Sequence, residues 1–140
     1  MKIVVNRCYG GFGLSPQAIE LYAEKCGFKV FGYQKDYSDE SFGKYIRFKV
    51  GDEPWCIHWL KEDLGDNPTS DMLNNDVEWF HDWDIPRDDK NLIEVVEALG
   101  EKASRRYAEL VIIDIPDDVD WEIDEYDGLE WVAEQHRTWS

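Results

Sequence analysis

The chain has 140 residues, which is the size of one ordinary domain and too small for two well-packed ones. Hydrophobic residues make up 43% and aromatic residues 14% of it, enough to build a core, so the composition argues against intrinsic disorder. The 31 acidic and 15 basic residues leave a net charge of −16, which would repel nucleic acids and anionic membranes, so we expect no direct nucleic-acid partner and no membrane partner.

The N-terminal part of the chain predicts a strand, a loop and a helix. Residues 3–5 are a short β-branched run and are followed by the glycine-rich segment 10–13. Ser15 is a good N-cap, apolar side chains follow at helical spacing up to Cys26, and Gly27 is a stop signal. The first apolar run is too short for the hydrophobic region of a signal peptide, so we expect a cytosolic protein.

The middle of the chain predicts short elements. Aromatic and β-branched residues at 29–31 and 45–50 predict two strands separated by a polar stretch. Residues 51–87 combine tryptophans, acids and three prolines without a sustained period, which predicts loops and short elements.

A second helix and a buried strand are predicted after that stretch. Residues 88–107 begin with an aspartate cap and carry one apolar stripe, and we expect Gly100 to weaken this helix only slightly. Residues 110–115 are almost continuously apolar, which is typical of a strand buried on both faces. No apolar run approaches the about 18 to 20 residues that cross a bilayer.

The C-terminal part is strongly acidic. Between Asp114 and Glu134 there are ten acidic residues and no lysine or arginine. Asp127-Gly128 lies midway between apolar and aromatic residues and favours a two-residue β-hairpin. The alternative is a helix that begins at Asp127, with Glu130 completing a capping box. We predict a single α+β domain over residues 1–140, with a mixed or antiparallel sheet and two main helices packed against it.

The residues that commonly carry catalysis or bind metal form no known motif. Three cysteines without a Cys-x-x-Cys pair indicate reduced buried thiols. The three histidines are not spaced to place two ligands on one face, so we expect no metal and no cofactor, and a function in binding more than in catalysis. A cysteine–histidine dyad would have to be brought together by the fold. These residues are Cys8, Cys26, Cys56, His58, His81 and His136.

Both ends of the chain resemble a family of small uncharacterised proteins encoded by tailed bacteriophages. The resemblance rests on NRCYGGFGLS at 6–15, on IPDDVDWEIDEYDG at 115–128 and on HRTW at 136–139. It implies a phage origin and an accessory role in the cytosol of an infected bacterium, and it implies no particular chemistry. By analogy, small acidic phage proteins often inhibit host machinery, some of them by imitating the charge of DNA.

The leading hypothesis is therefore an acidic phage accessory protein that binds and antagonises a host defence or nucleic-acid-handling factor without catalysis. It would occupy a positively charged surface of that host protein in the manner of a nucleic-acid mimic, with aromatic anchors among the acids. The alternative interpretation of the acids is a solvated face that keeps the protein in solution. The predicted partner-binding residues are Asp117, Asp118, Asp120, Asp124, Glu125, Asp127 and Trp131.

A second hypothesis is a small-ligand module that binds or sequesters a phosphate-bearing nucleotide signal. Backbone N–H groups of a glycine-rich loop before a helix attract anions, and an arginine from each end of the chain could pair with a phosphate. The segment lacks the lysine of a phosphate-binding loop, and a tight turn that needs positive φ angles is the alternative. The candidate residues are Asn6, Arg7, Gly10, Gly11, Gly13, Ser15 and Arg137.

Overall fold

A computed structural model describes residues 1–38, 43–49, 56–74 and 77–135. The chain divides into two compact units, one formed by Met1–Cys26 with Asp82–Ser140 and the other by Gly27–His81. Helices and antiparallel strand pairs build the described residues, so the predicted α+β class, with an antiparallel arrangement of strands, is confirmed. That residues 1–140 form one domain stays a prediction. No helix within the described ranges is long and apolar enough to cross a membrane.

The first unit contains a two-stranded sheet of β1 (Lys2–Asn6) and β5 (Leu110–Asp114). The strand predicted at residues 3–5 is present, and its β-branched side chains are buried. On β5 only Leu110 is buried, and the other four residues are partly or fully exposed. The expectation that this segment is buried on both faces is wrong, because Val111, Ile112 and Ile113 all keep part of their surface in contact with solvent.

Two helices pack against each other in this unit, α1 (Pro16–Cys26) and α3 (Lys90–Leu99). The Ser15 hydroxyl accepts a hydrogen bond from the Ala18 N–H at 3.1 Å and so caps α1 as predicted. The Asp89 carboxylate caps α3 in the same way. Gly27 follows α1 with a φ of +87°, the left-handed conformation that its stop signal predicts.

The second helix is shorter than predicted. Residues 88–107 were expected to form one helix, but α3 ends at Leu99 and a 3-10 turn follows at Gly100–Ala103. Gly100 has φ 57° and ψ −128°, a backbone conformation that is essentially open to glycine alone. The expectation that Gly100 weakens this helix only slightly is therefore wrong, because the glycine supplies the conformation that ends it.

The second unit is built on a three-stranded antiparallel sheet with β2 (Phe31–Lys35) between β3 (Tyr45–Arg47) and β4 (His58–Leu60). Strands are present in both predicted regions, but with other bounds. β2 shares only Phe31 with the predicted 29–31, and β3 ends at Arg47 instead of at Val50, which lies outside the described residues. A five-residue helix, α2 (Ser70–Asn74), follows β4. The prediction of loops and short elements in 51–87 is confirmed for its described part.

Aromatic side chains form the core of the second unit. Tyr33, Tyr45, Leu60 and Leu73 are buried together. The Tyr33 hydroxyl accepts a hydrogen bond from the Leu64 N–H at 2.9 Å, and burial raises the pKa of this phenol. The hydroxyl of the buried Tyr33 is therefore satisfied by a backbone partner.

The cysteines are all free, as expected of reduced thiols, but their predicted burial is wrong. Cys26 and Cys56 are exposed, and Cys8 is partly buried. Cys26 is the last residue of α1, where its position faces solvent instead of the core. The sequence predicted burial from residue type alone, which does not determine how each position packs in the fold.

His58 lies among aromatic rings in the second unit. Its imidazole meets the rings of Tyr45 and Trp79 edge to face, at centroid distances of 5.5 and 5.4 Å. Burial lowers the pKa of His58 below its ordinary value of 6.5, and the positive charge of Lys35 lowers it further. The folded chain therefore holds this histidine neutral more strongly than the unfolded chain does.

We expect His58 to make folding sensitive to mild acid. Below a pH of about 6.5 the unfolded state binds this proton more readily than the folded state, so the free energy of unfolding falls as the pH drops through that value. Urea denaturation at a series of pH values between about 5 and 8 measures this slope. A His58→Gln variant should show a flatter dependence, and an unchanged slope in that variant would contradict the assignment.

Candidate functional site

The acidic C-terminal segment forms a regular β-hairpin of β6 (Trp121–Tyr126) and β7 (Leu129–Glu134). Asp127 and Gly128 form its two-residue turn with φ angles of 50° and 91°. Two positive φ angles in a row are typical of the hairpin turn whose twist matches that of the strands. The predicted hairpin is confirmed, and the alternative helix from Asp127 is wrong because its residues are paired as strands.

The register divides the hairpin into two faces. Residues directly opposite each other share a face, and successive residues alternate between faces. We call the face that contains the buried Glu130 the inner face and the other the outer face. The inner face consists of Trp121, Ile123, Glu125, Glu130, Val132 and Glu134, and the outer face of Glu122, Asp124, Tyr126, Leu129, Trp131 and Ala133.

Glu130 anchors the inner face to the first unit. Its side chain is 6% exposed and accepts two hydrogen bonds from the Arg87 guanidinium, at 2.5 Å on Oε1 and 2.9 Å on Oε2. Oε1 also accepts the backbone N–H of Asn6 at 2.9 Å. A buried carboxylate is tolerated only when its charge is paired and its oxygens are hydrogen-bonded, and both conditions are met here.

Arg87 also ties the hairpin to the glycine-rich segment. Its guanidinium carbon lies 3.6 Å from the centre of the Phe12 ring, a cation–π contact made while the same group is paired with Glu130. The Arg87 carbonyl accepts the Val4 N–H at 2.9 Å. One residue therefore joins β1, the loop after it and the hairpin.

The hairpin turn packs on the glycine-rich segment without room for a side chain. A Cβ atom at Gly128 would lie 2.6 Å from both the Gly11 nitrogen and the Tyr9 oxygen. The Asn6 side-chain amide donates to the Gly128 carbonyl at 2.8 Å. Gly128 is thus needed both for its positive φ and for this close approach of two backbones.

We expect loss of the Arg87 charge to destabilise the fold strongly. Arg87→Met leaves Glu130 buried without its partner and should lower the free energy of unfolding by about 3–5 kcal/mol. Lys2→Met is the matched control, because it breaks the half-exposed Lys2–Glu97 pair, which should cost less than about 1 kcal/mol. Urea denaturation measures both. Equal losses in the two variants would show that the Arg87–Glu130 pair is no more important than a surface pair.

We expect Gly128→Ala to destabilise the fold more than Gly11→Ala. Both glycines have similar φ angles, +91° and +88°, so an alanine at either site carries a left-handed strain of about 1–2 kcal/mol. A Cβ at Gly11 meets nothing within 4 Å, whereas one at Gly128 meets backbone. The difference in melting temperature between the two variants measures the cost of the clash between a Cβ at residue 128 and the backbone. Equal melting temperatures would contradict this prediction.

The outer face presents aromatic rings beside carboxylates. Tyr126 is 70% and Trp131 44% exposed. Trp131 lies directly opposite Asp124, at the separation where cross-strand side chains interact. Glu122 is exposed on the same face, two residues from Asp124. A cation approaching this face meets both negative charge and aromatic surface.

The other predicted partner-binding acids are not all equivalent. Asp117 binds the N-terminal amine at 2.5 Å, and this hydrogen bond lowers the pKa of its carboxyl group. Asp118, Asp120 and Asp127 are exposed outside the two strands. Glu125 is exposed but belongs to the inner face, opposite Glu130. Of the seven predicted residues, Asp124 and Trp131 share the outer face.

Two residues of this face were missed in the sequence prediction, Glu122 and Tyr126. Residue type alone predicts acids and a tryptophan as partner residues, and it does not show which of them share a face. The signal that finds them was present, because a two-residue turn at Asp127-Gly128 determines the register and the register determines the faces.

The residues predicted for a phosphate ligand have contacts within the chain. Asn6 is buried, its side-chain oxygen accepts the Glu109 N–H at 2.9 Å, and its side-chain nitrogen donates to the Cys8 carbonyl at 2.7 Å. The Ser15 hydroxyl caps α1 and donates to the Lys102 carbonyl at 2.6 Å. These groups already have partners that a phosphate would have to displace.

The glycines of the nucleotide hypothesis also pack against the chain itself, and one of its two arginines is exposed. A Cβ at Gly10 would lie 2.0 Å from the Tyr107 carbonyl oxygen, and one at Gly13 would lie 3.0 Å from the Arg105 side chain. Arg7 is exposed, and its backbone N–H donates to the Glu109 carbonyl. Arg137 lies outside the described residues. The nucleotide hypothesis stays a prediction.

One cysteine and one histidine lie close together in the second unit. The Cys56 sulfur lies 3.9 Å from Nε2 of His58, its neighbour two residues on. Cys8 hydrogen-bonds through its backbone to Asn6 instead. No group of three or more histidine, cysteine and acidic side chains in the described ranges could hold a metal ion.

An open cavity of about 510 Å³ lies in the second unit. Arg47 is its central cation, and Asp63 and Asp66 both bind that guanidinium. Pairing with Arg47 lowers the pKa of Asp63. The arginine charge is thus balanced within the chain. The cavity is lined by Gln34, Ile46, Arg47, Lys49, Asp66 and Asn67.

Comparison with known proteins identifies no similar protein. The chain matches no protein-family model, no curated protein and no solved structure.

Proposed function

We propose that this chain is a non-catalytic binding protein whose hairpin outer face occupies a positively charged surface of another protein. The observation that carries the proposal is the combination of Tyr126 and Trp131, both exposed, with the carboxylates of Glu122 and Asp124 on one face. Tyrosine and tryptophan are the residue types that most often contribute strongly to protein interfaces. The carboxylates add preference for a cationic partner.

The construction of the hairpin supports a role in binding. The Arg87–Glu130 pair and the Gly128 contact hold the hairpin through its inner face and its turn, and Tyr126 and Trp131 of the outer face remain exposed. A preorganised face loses little conformational entropy when a partner binds.

The charge of the rest of the chain favours a basic partner. With a net charge of −16, long-range attraction would speed association with a cationic protein, and added salt would slow it. The resemblance to tailed-bacteriophage proteins supports a bacterial host protein as that partner, in a defence or nucleic-acid-handling system. Antagonism of that protein, in the manner of a nucleic-acid mimic, is part of the same proposal.

We expect Tyr126→Ala to weaken partner binding at least about tenfold, while Tyr37→Ala leaves it unchanged. The two tyrosines are a matched pair because each is 70% exposed and Tyr37 lies in the other unit. The measurement is capture of proteins from bacterial lysate at low salt, identification by mass spectrometry, and titration of the purified partner against each variant. Equal behaviour of the two variants would contradict the proposal.

We expect the outer-face carboxylates to contribute to partner binding, and two exposed glutamates on α1 provide the matched control. Glu122→Gln with Asp124→Asn removes two charges from the outer face, and Glu20→Gln with Glu24→Gln removes two from exposed positions on α1. The first pair should lower the affinity and flatten its salt dependence, and the second should do neither. If the captured protein binds nucleic acid, added duplex DNA should release it, and failure to compete would contradict mimicry.

A further inference from the structure

The β6 strand has an edge that no other described strand covers. It pairs with β7 on one side, and the described strands form no ladder on its other side. An unpaired edge displays a row of backbone N–H and C=O groups that can accept one more strand. The six residues of β6 contain no proline and pair with β7 in unbroken register, so the edge is regular.

The register identifies the backbone groups on that edge. Tyr126 and Leu129 flank the two-residue turn and therefore form a hydrogen-bonded pair, and hydrogen-bonded pairs recur at every second residue. The Gln135 N–H donates to the Asp120 carbonyl at 2.9 Å, as this alternation requires. The residues between these pairs, Trp121, Ile123 and Glu125, direct their N–H and C=O groups away from β7.

The side chains along the edge select the occupant. A strand added to β6 would place alternate side chains opposite Glu122 and Asp124 on the outer face, where opposite charges stabilise and like charges destabilise. A second copy of β6 would bring carboxylates against carboxylates. A segment with lysine or arginine at alternate positions would bring cations against those carboxylates instead.

We propose that the chain recognises its partner by antiparallel strand addition, in which an extended segment with alternating basic residues pairs with the open edge of β6. This inference rests on the proposed function and specifies its mode of binding. Backbone hydrogen bonds to Trp121, Ile123 and Glu125 supply affinity, and the alternation of charge supplies register and selectivity.

Three synthetic peptides test the mode of binding. The first is a seven-residue peptide of alternating threonine and lysine, the second carries N-methyl groups on its threonines, and the third carries them on its lysines. In antiparallel addition with lysines on the outer face, the threonine N–H groups point at β6 and the lysine N–H groups point away. We expect the second peptide to bind at least about tenfold more weakly than the first and the third to bind like the first.

A protein variant gives an independent measurement. Glu125→Pro removes an N–H that points away from β7, so the hairpin loses no internal bond while the edge loses a donor. Glu125→Gln is its control, because it removes the same charge and keeps the N–H. We expect the proline variant to bind the first peptide at least about tenfold more weakly than the glutamine variant. The N-methyl series still decides the question if the proline variant fails to fold.

The outcomes separate this inference from the proposed function. Equal affinity of the three peptides, with loss of all three in the Glu122→Gln, Asp124→Asn variant, would overturn strand addition and leave the proposed function standing. Weak binding of the third peptide instead of the second would overturn the antiparallel arrangement. Absence of binding by every peptide would overturn strand addition, and the Tyr126 and Tyr37 variants would decide the proposed function separately. Unchanged peptide binding to the outer-face variant would overturn both.

Discussion

The ion pair of Arg87 and Glu130 is the interaction on which the arrangement of the first unit depends. Two charges with little exposure are stable there because the guanidinium binds both carboxylate oxygens and the Asn6 N–H adds a third hydrogen bond. The same guanidinium lies on the Phe12 ring. The glycine-rich segment, β1 and the hairpin therefore meet at one ion pair.

That ion pair also determines which side of the hairpin faces outward. Side chains alternate along a strand, so a slip of one residue would move Glu130 out and Trp131 in. Burial of Glu130 against Arg87 makes such a slip costly, because it would leave the mostly buried Arg87 side chain without its carboxylate partner. The aromatic and acidic outer face thus follows from a constraint on the inner face, and the surface proposed to bind a partner carries none of the stabilising contacts described for the hairpin.

The acids of the C-terminal segment serve different purposes, although the sequence makes them look alike. Glu130 is a structural counter-ion, Asp117 pairs with the N-terminal amine, and Asp124 lies beside Trp131 on the outer face. The net charge of −16 is thus a sum over groups that lie in different environments. Partner preference depends on the acids that share a face with aromatic rings, since those can combine charge with buried area.

The sequence by itself determined the features that depend on neighbours in the chain. The Ser15 cap, the stop at Gly27 and the turn at Asp127-Gly128 are local backbone preferences, and all three are as predicted. The effect of Gly100 on α3 was underestimated: the sequence predicted a slightly weakened helix, and the glycine ends it. Tertiary structure decided the burial of Glu130, because its partner Arg87 lies 43 residues away and no local pattern links them. It also decided the exposure of the cysteines and the division of the acids, since burial depends on which distant segments pack together.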